Sequence, residues 1–249
     1  MNRLKGKRAL ITGGTSGIGL ETARLFLAEG ARIIVTGAGD KSVASAAKQL
    51  ASAEAVLASD AGNAEEQKKL AQTVKEKLGE LDILFCNAGV ADLRPLEAWD
   101  EAGLQRTFDI NFTGPFFLVQ ALLPFFANPA SIILGASVNA RIGMPGTSIY
   151  GASKAALLSL VRTLSGELIS RGIRVNAVSP GPIETPLYDK LGLKGADLDT
   201  AKKALTGKVP AGRFGRASEV AETVVFLASD EAPFIVGTEI QIDGGMGNV

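Results

Sequence analysis

Apolar, β-rich runs alternate with segments of helical periodicity from one end of this 249-residue chain to the other. The runs are Arg8 to Thr12, Ala31 to Thr36, Ala55 to Ala58, Leu81 to Cys86, Ala130 to Leu134, Ile173 to Val178 and Glu239 to Ile242. They are near-continuous Ile, Val, Leu and Ala, the pattern of strands covered on both faces. Seven such strands separated by helices predict a parallel, doubly wound seven-stranded sheet in one α/β domain spanning 1–249. Gly30 and Gly172 stand where left-handed caps end the first helix and the helix before the sixth strand. The Asn128-Pro129 step is expected to stop a helix that starts near Asp100. Residues 180–215 hold four of the ten prolines and no strong strand, and read as a long substrate loop with a short helix.

Lys and Arg balance Asp and Glu at 26 each, with no long run of one sign. Such a surface is a poor partner for nucleic acid or an acidic membrane. No apolar stretch reaches the roughly 18 residues of a membrane span, so a cytoplasmic protein is expected. Histidine is absent. That removes Ser-His-Asp and Cys-His catalysis and the usual zinc sites, leaving proton transfer to Tyr, Lys, Asp, Glu or Cys. The lone Cys86 ends an apolar run and reads as a small buried residue.

Thr12-Gly13-Gly14-Thr15-Ser16-Gly17-Ile18-Gly19 directly follows the first strand and opens a helix. Glycines at such a turn let backbone N–H groups and the helix dipole meet a pyrophosphate, as in Rossmann-type folds. An acid at the tip of the second strand would bond the ribose hydroxyls of NAD and repel the phosphate of NADP. Here that strand runs out as Thr36-Gly37-Ala38-Gly39-Asp40, with neither an acid at its tip nor an arginine beyond. Asp40 is a candidate for the ribose, and Thr15, Ser16, Thr36 and Lys41 for a phosphate. The missing acid leans the reading to NADP(H), with NAD(H) left open.

Tyr150-Gly151-Ala152-Ser153-Lys154 begins a long helical segment running to Arg171. Four residues put Tyr150 and Lys154 on one face, about 6 Å apart along the axis. An ammonium near a phenol favours phenolate, so the pair suits proton exchange with a carbonyl or alcohol oxygen. The same spacing is common on plain solvated helices, and context decides between the two. Ser137 follows the fifth strand at the carboxyl edge of the sheet, where open α/β sheets bind ligands, and its hydroxyl can bond the reacting oxygen.

Together these residues resemble the short-chain dehydrogenase/reductase family over essentially the whole chain. The resemblance rests on the glycine loop, Asp60, Asn87-Ala88-Gly89, Asn111, Ser137, Tyr150-x-x-x-Lys154, Ser179-Pro180-Gly181-Pro182 and Asp243-Gly244-Gly245. It implies a catalytic tetrad of Asn111, Ser137, Tyr150 and Lys154. In it Tyr150 is general acid and base, Ser137 polarises the substrate oxygen, Lys154 bonds the nicotinamide ribose and lowers the tyrosine pKa, and Asn111 holds a water leading from Lys154 to solvent. It further implies cofactor contacts from Gly13, Thr15, Ser16, Gly17, Ile18, Gly19, Gly37, Ala38, Asp60, Ala61, Asn87, Ala88, Gly89, Pro180, Gly181, Ile183 and Thr185. Of these, Asp60 would meet adenine, the backbone around Asn87 to Gly89 would lie along the adenosine ribose, and Ile183 and Thr185 would meet the carboxamide. A homotetramer is the assembly it implies. Cys86 replaces the more frequent asparagine of the pattern, with no mechanistic consequence expected. On its own spacing Asn111 reads equally as a helix-kink amide bonding backbone.

Val138, Asn139, Gly143, Met144, Leu187 and Tyr188 are expected to line the substrate pocket beside Ser137 and Tyr150, which suits a modest neutral ketone or secondary alcohol. Arg141 is an alternative anchor for an acidic group, or a solvated surface arginine. The activity expected is reversible carbonyl reduction by hydride transfer. Its rivals are a dinucleotide-binding regulator without turnover and a hydrolase acting through Ser137, the latter opposed by the missing histidine.

Overall fold

The computed structural model describes residues 2–186 and 195–249. β1 (Arg8–Thr12), β2 (Arg32–Gly37), β3 (Ala55–Ala58), β4 (Leu81–Cys86), β5 (Phe126–Gly135), β6 (Ile173–Pro180) and β9 (Glu239–Ile242) form one sheet in the order β3-β2-β1-β4-β5-β6-β9. Every pairing in it is parallel. The sequence-predicted strands all fall within it. The order reverses between β1 and β4, which creates a crevice at the carboxyl ends of those two strands.

On one face α1 (Gly17–Ala28) and α8 (Ala217–Ala228) cover the sheet, enclosing Phe26, Ile33, Phe85 and Val224. On the other lie α3 (Ala64–Leu78), α4 (Glu101–Phe108), α5 (Gly114–Leu122) and α6 (Ser148–Leu168), enclosing Leu70, Leu84, Leu118 and Leu157. Two-sided burial is why the strands carry no alternation. α2 (Asp40–Gln49) bridges β2 to β3. Gly30 and Gly172 both have positive φ, 87° and 75°, as their capping places require. Among the described residues no helix is long and apolar enough to cross a membrane.

Two local expectations change. The helix that starts after Asp100, whose carboxylate accepts from Gly103 N–H at 2.9 Å, ends at Leu122 rather than at Asn128. Pro124 lies just beyond that end and cannot continue the helix, whereas Asn128 and Pro129 sit inside β5. Pro129 lacks an N–H, and the regular ladder with β6 begins only at Ala130. Within 180–215 the structure shows α7 (Ala196–Thr206) and also a short parallel pair, β7 (Ile183–Glu184) with β8 (Gly215–Arg216). Two residues per strand are too few to show as a sequence pattern.

Between α4 and α5 the helix widens over Asp109–Thr113 into a π-type turn, with Gly114 N–H bonded to Asp109 carbonyl. Pro115 has no N–H to return to the carbonyl of Asn111 four residues earlier, which favours this widening. Gly114 also has no room for a side chain, because a Cβ there would overlap the Ala61 carbonyl oxygen. Gly114→Ala is expected to destabilise the fold by about 1–3 kcal/mol through overpacking. Urea unfolding reads this directly, and an unchanged midpoint would show that the loop at Ala61 yields freely.

Candidate active site

The carboxyl ends of β4, β5 and β6 border a cavity of about 410 Å³. Ile18, Asn87, Gly89, Ser137, Val138, Asn139, Met144, Tyr150, Lys154, Pro180, Gly181, Ile183 and Thr185 line it, so residues scattered over the sequence meet at one place. Gly143 does not line it, and Leu187 and Tyr188 lie outside the described residues. Leu93, Pro145, Leu205 and Met246 also line the cavity and were not anticipated. They come from loops, from α7 and from the turn after β9, where no periodicity or motif points toward a pocket.

At the mouth of β1 the glycine loop is packed too closely for side chains. A Cβ on Gly13 would lie 2.7 Å from the Ala88 Cα, and one on Gly19 would overlap the Gly13 carbonyl. Asn87 fastens this turn by donating to the carbonyls of Thr12 and Gly13 at 3.1 and 2.9 Å. Thr12 Oγ1 accepts from the N–H groups of both Asn87 and Ala88 at 3.1 Å. Ser16 caps α1 without a side-chain bond and no acid occupies the first turn. Bare, positively polarised N–H groups therefore face the crevice, and the loop fits a pyrophosphate.

Beyond the cavity, Gly37 is packed so tightly against Thr15 that a Cβ would overlap its hydroxyl. Thr15 Oγ1 lies 3.4 Å from Ser42 Oγ, while Ala38, Asp40 and Lys41 are exposed. Thr36 is buried, 3 % exposed, which removes it from the phosphate candidates. Asp60 accepts from Gly62 N–H at 2.9 Å and from Arg106 at 3.1 Å. Burial pushes its pKa up, but these bonds outweigh it and hold the carboxylate below its ordinary range. Ala61 is packed under Gly114.

Tyr150 stands in the first turn of α6 and Lys154 one turn on, as the spacing requires. Gly151 lets the preceding loop close over the helix, since a Cβ there would lie 2.9 Å from the Asn139 carbonyl. Asn139 N–H donates to Ser137 Oγ at 3.2 Å, and its amide donates to Thr147 Oγ1 at 3.4 Å. This short chain fixes the Ser137 hydroxyl beside Tyr150. Asn111 is 1 % exposed, in the widened turn, and its side chain makes three hydrogen bonds. Oδ1 accepts from Val90 N–H at 2.9 Å, and Nδ2 donates to the Val90 carbonyl and to Ser153 Oγ, both at 3.0 Å. The amide therefore clamps the loop after β4 onto α6, the backbone-bonding role its spacing allowed.

A sequence profile described as enoyl-(acyl carrier protein) reductase matches residues 13–247. The chain belongs to the short-chain dehydrogenase/reductase family. A 3-oxoacyl-(acyl-carrier-protein) reductase of Thermotoga maritima is 37 % identical over 98 % of this chain and 99 % of its own. A Brucella melitensis short-chain dehydrogenase/reductase of the glucose/ribitol dehydrogenase type superposes with a TM-score of 0.91 at 34 % identity, over 99 % of both chains. The RhlG protein of Pseudomonas aeruginosa, in an NADP active-site complex, superposes with a TM-score of 0.90 at 32 % identity, over 98 % of this chain and 97 % of its own. The chain is thus an NAD(P)-dependent oxidoreductase of this family.

Burial dominates the electrostatics of Tyr150 and Lys154. Lys154 is 4 % exposed and donates to the Gly135 carbonyl at 2.7 Å, with Nζ 6.0 Å from the centre of the Tyr150 ring. Burial pushes the Tyr150 hydroxyl pKa up, with Ser137 pulling it only partly back. Burial also lowers Lys154 from 10.5 to about 8. It raises the Cys86 thiol to about 12, consistent with an inert packing residue. Arg141 does not reach into the cavity lining and is paired with Glu239 through a 2.6 Å hydrogen bond.

Between about pH 8 and 10.5 the unfolded chain retains a proton that folded Lys154 has released, so this group makes stability rise with pH, and its cost is full below about 8. Lys154→Met is expected to raise the melting temperature of the cofactor-free protein at pH 7, with the gap to wild type narrowing as pH climbs toward 10.5. Calorimetry across that range checks it. A variant melting below wild type at pH 7 would mean that the bond to Gly135 outweighs desolvation.

Proposed function

We propose that the protein interconverts a neutral ketone and a secondary alcohol at this cavity, with Tyr150 as the proton-transferring residue. The observation carrying the reading is the convergence of Tyr150, Ser137 and Lys154 on one cavity beside a loop fitted to pyrophosphate. A nicotinamide cofactor supplies or accepts the hydride when bound. Ile18, Lys154, Pro180, Gly181, Ile183 and Thr185 would hold its nicotinamide half, with Gly13, Thr15, Ser16, Gly17 and Gly19 at its phosphates. Gly37, Ala38, Asp60 and Ala61 would hold its adenosine end, with the backbone of Asn87, Ala88 and Gly89 along the adenosine ribose.

Ser137 holds the substrate carbonyl oxygen, its own orientation fixed by Asn139. Tyr150 donates its hydroxyl proton to that oxygen during reduction. Burial favours the protonated hydroxyl, the form that donates to the substrate oxygen. Lys154, as the ammonium below about pH 8, stabilises the negative charge left on the phenol oxygen. Asn111 is a positioning residue that holds the Val90 loop against α6. Among the described lining residues Lys154 is the one with a formal charge, and Leu93, Val138, Met144 and Ile183 make much of the wall apolar. Such a wall favours an uncharged substrate.

For the cofactor we favour NADP(H). The support is the absence of an acid at the tip of β2, together with the hydroxyls of Thr15 and Ser42 and the exposed Lys41 around it. A homotetramer is the proposed assembly, supported by Leu104 on α4 and Phe116 on α5, both exposed large apolar side chains on the face carrying α6.

Tyr150→Phe is expected to lower ketone reduction by at least roughly 100-fold, with NADPH binding by fluorescence titration retained; substantial residual turnover would remove Tyr150 from the mechanism. Wild-type protein is expected to bind NADPH more tightly than NADH in the same titration, and the opposite order overturns the cofactor reading. Light scattering at micromolar concentration is expected to give the mass of four chains, and a monomer would reject the assembly.

A further inference from the structure

Met1 aside, the chain has two methionines, and both line the cavity: Met144 from the loop before α6 and Met246 from the turn after β9. Met144 follows the segment that carries Ser137, whereas Met246 lies more than ninety residues further on. β9 pairs with β6, and β6 with β5, so the ends of these strands lie side by side and bring the turn to Ser137.

The turn is firmly built. Asp243 is buried, 7 % exposed, and accepts from Gly245 N–H at 2.9 Å through one carboxylate oxygen and from Gly247 N–H at 2.8 Å through the other. Gly244 and Gly245 have φ of 65° and 92°, a conformation that side chains oppose. Three further contacts fix its place: Gly181 N–H donates to Ile242 carbonyl, Ala211 N–H donates to Gly244 carbonyl at 3.0 Å, and a Cβ on Gly247 would lie 3.2 Å from Val138 Cγ2. Met246 thus sits on a rigid base that touches both the cavity floor and the returning end of the 180–215 segment. Its unbranched thioether fills irregular space and yields to different shapes more readily than a branched side chain.

We propose that Met246 is a specificity-determining residue that limits the size of the apolar group beside the reacting carbonyl, with Asp243 as the positioning residue that holds it there. The inference rests on the reading of this cavity as the carbonyl site. Shortening Met246 enlarges the space, filling it with a ring reduces the space, and loosening Asp243 blurs the limit.

The test measures kcat and KM with NADPH for methyl ketones of increasing length, from butanone to an octanone, and for acetophenone. Met246→Ala is expected to shift kcat/KM toward the bulkier ketones by on the order of 10-fold relative to butanone, in the ketone KM rather than the NADPH KM. Met246→Phe is expected to shift it the opposite way, and Met246→Leu to restore the wild-type order. Asp243→Asn, which loses one of the two acceptors, is expected to move in the direction of Met246→Ala. Parallel profiles for wild type, Met246→Ala and Met246→Phe would overturn the inference while leaving the carbonyl reading intact. An NADPH KM rising in step with the ketone KM would also overturn it, by showing a general structural role. Wild-type protein that reduces no ketone and no β-ketoacyl thioester would reject the carbonyl reading and this inference with it.

Discussion

Each parallel pair in the sheet, from Ile11 beside Val35 to Pro180 beside Ile242, requires the chain to return across a face before the next strand can begin. The returns are helices, both faces are buried, and the loops that follow the strands are all delivered to one edge. Thr12, Cys86, Gly135 and Pro180 end neighbouring strands, and everything attached to them shares a single crevice. The cavity is thus a product of topology before it is a product of any particular side chain.

Desolvation then sets the character of the groups in that crevice. Lys154 is buried with its ammonium on a backbone carbonyl, and burial brings its pKa to about 8. The Tyr150 hydroxyl moves the other way, because burial disfavours the charged form of acid and base alike. Burial thus favours the neutral form of both the phenol and the amine. Supports around them are correspondingly dense: Asn139 holds Ser137, and Asn111 joins the Val90 loop to α6.

In the glycine loop and at Gly37 close neighbours leave no room for side chains. Gly13 meets Ala88, Gly19 meets Gly13 and Gly37 meets Thr15. Close approach of backbone is what a phosphate-binding loop needs, and it accounts for the glycines at these points. The family comparison agrees with this architecture over nearly the full chain.

Much of this was legible in the residues themselves. Strand runs such as Ile11 and Ile132 sit within unbroken apolar segments, so the parallel sheet could be read from hydrophobic pattern, and the glycine loop and Tyr150–Lys154 spacing are local features that a helix or turn translates directly into geometry. Other features depend on non-local packing. That Pro124 rather than Pro129 ends a helix depends on where β5 finds its partner, and the commitment of Asn111 to Val90 depends on the widened turn meeting a loop twenty-one residues away. Leu205 and Met246 reach the cavity only because α7 and the β9 turn fold back over it. Local chemistry therefore determined the fold class and the candidate residues by itself, while tertiary structure decided the pocket wall and the burial of those residues, because both depend on what surrounds a side chain rather than on what precedes it.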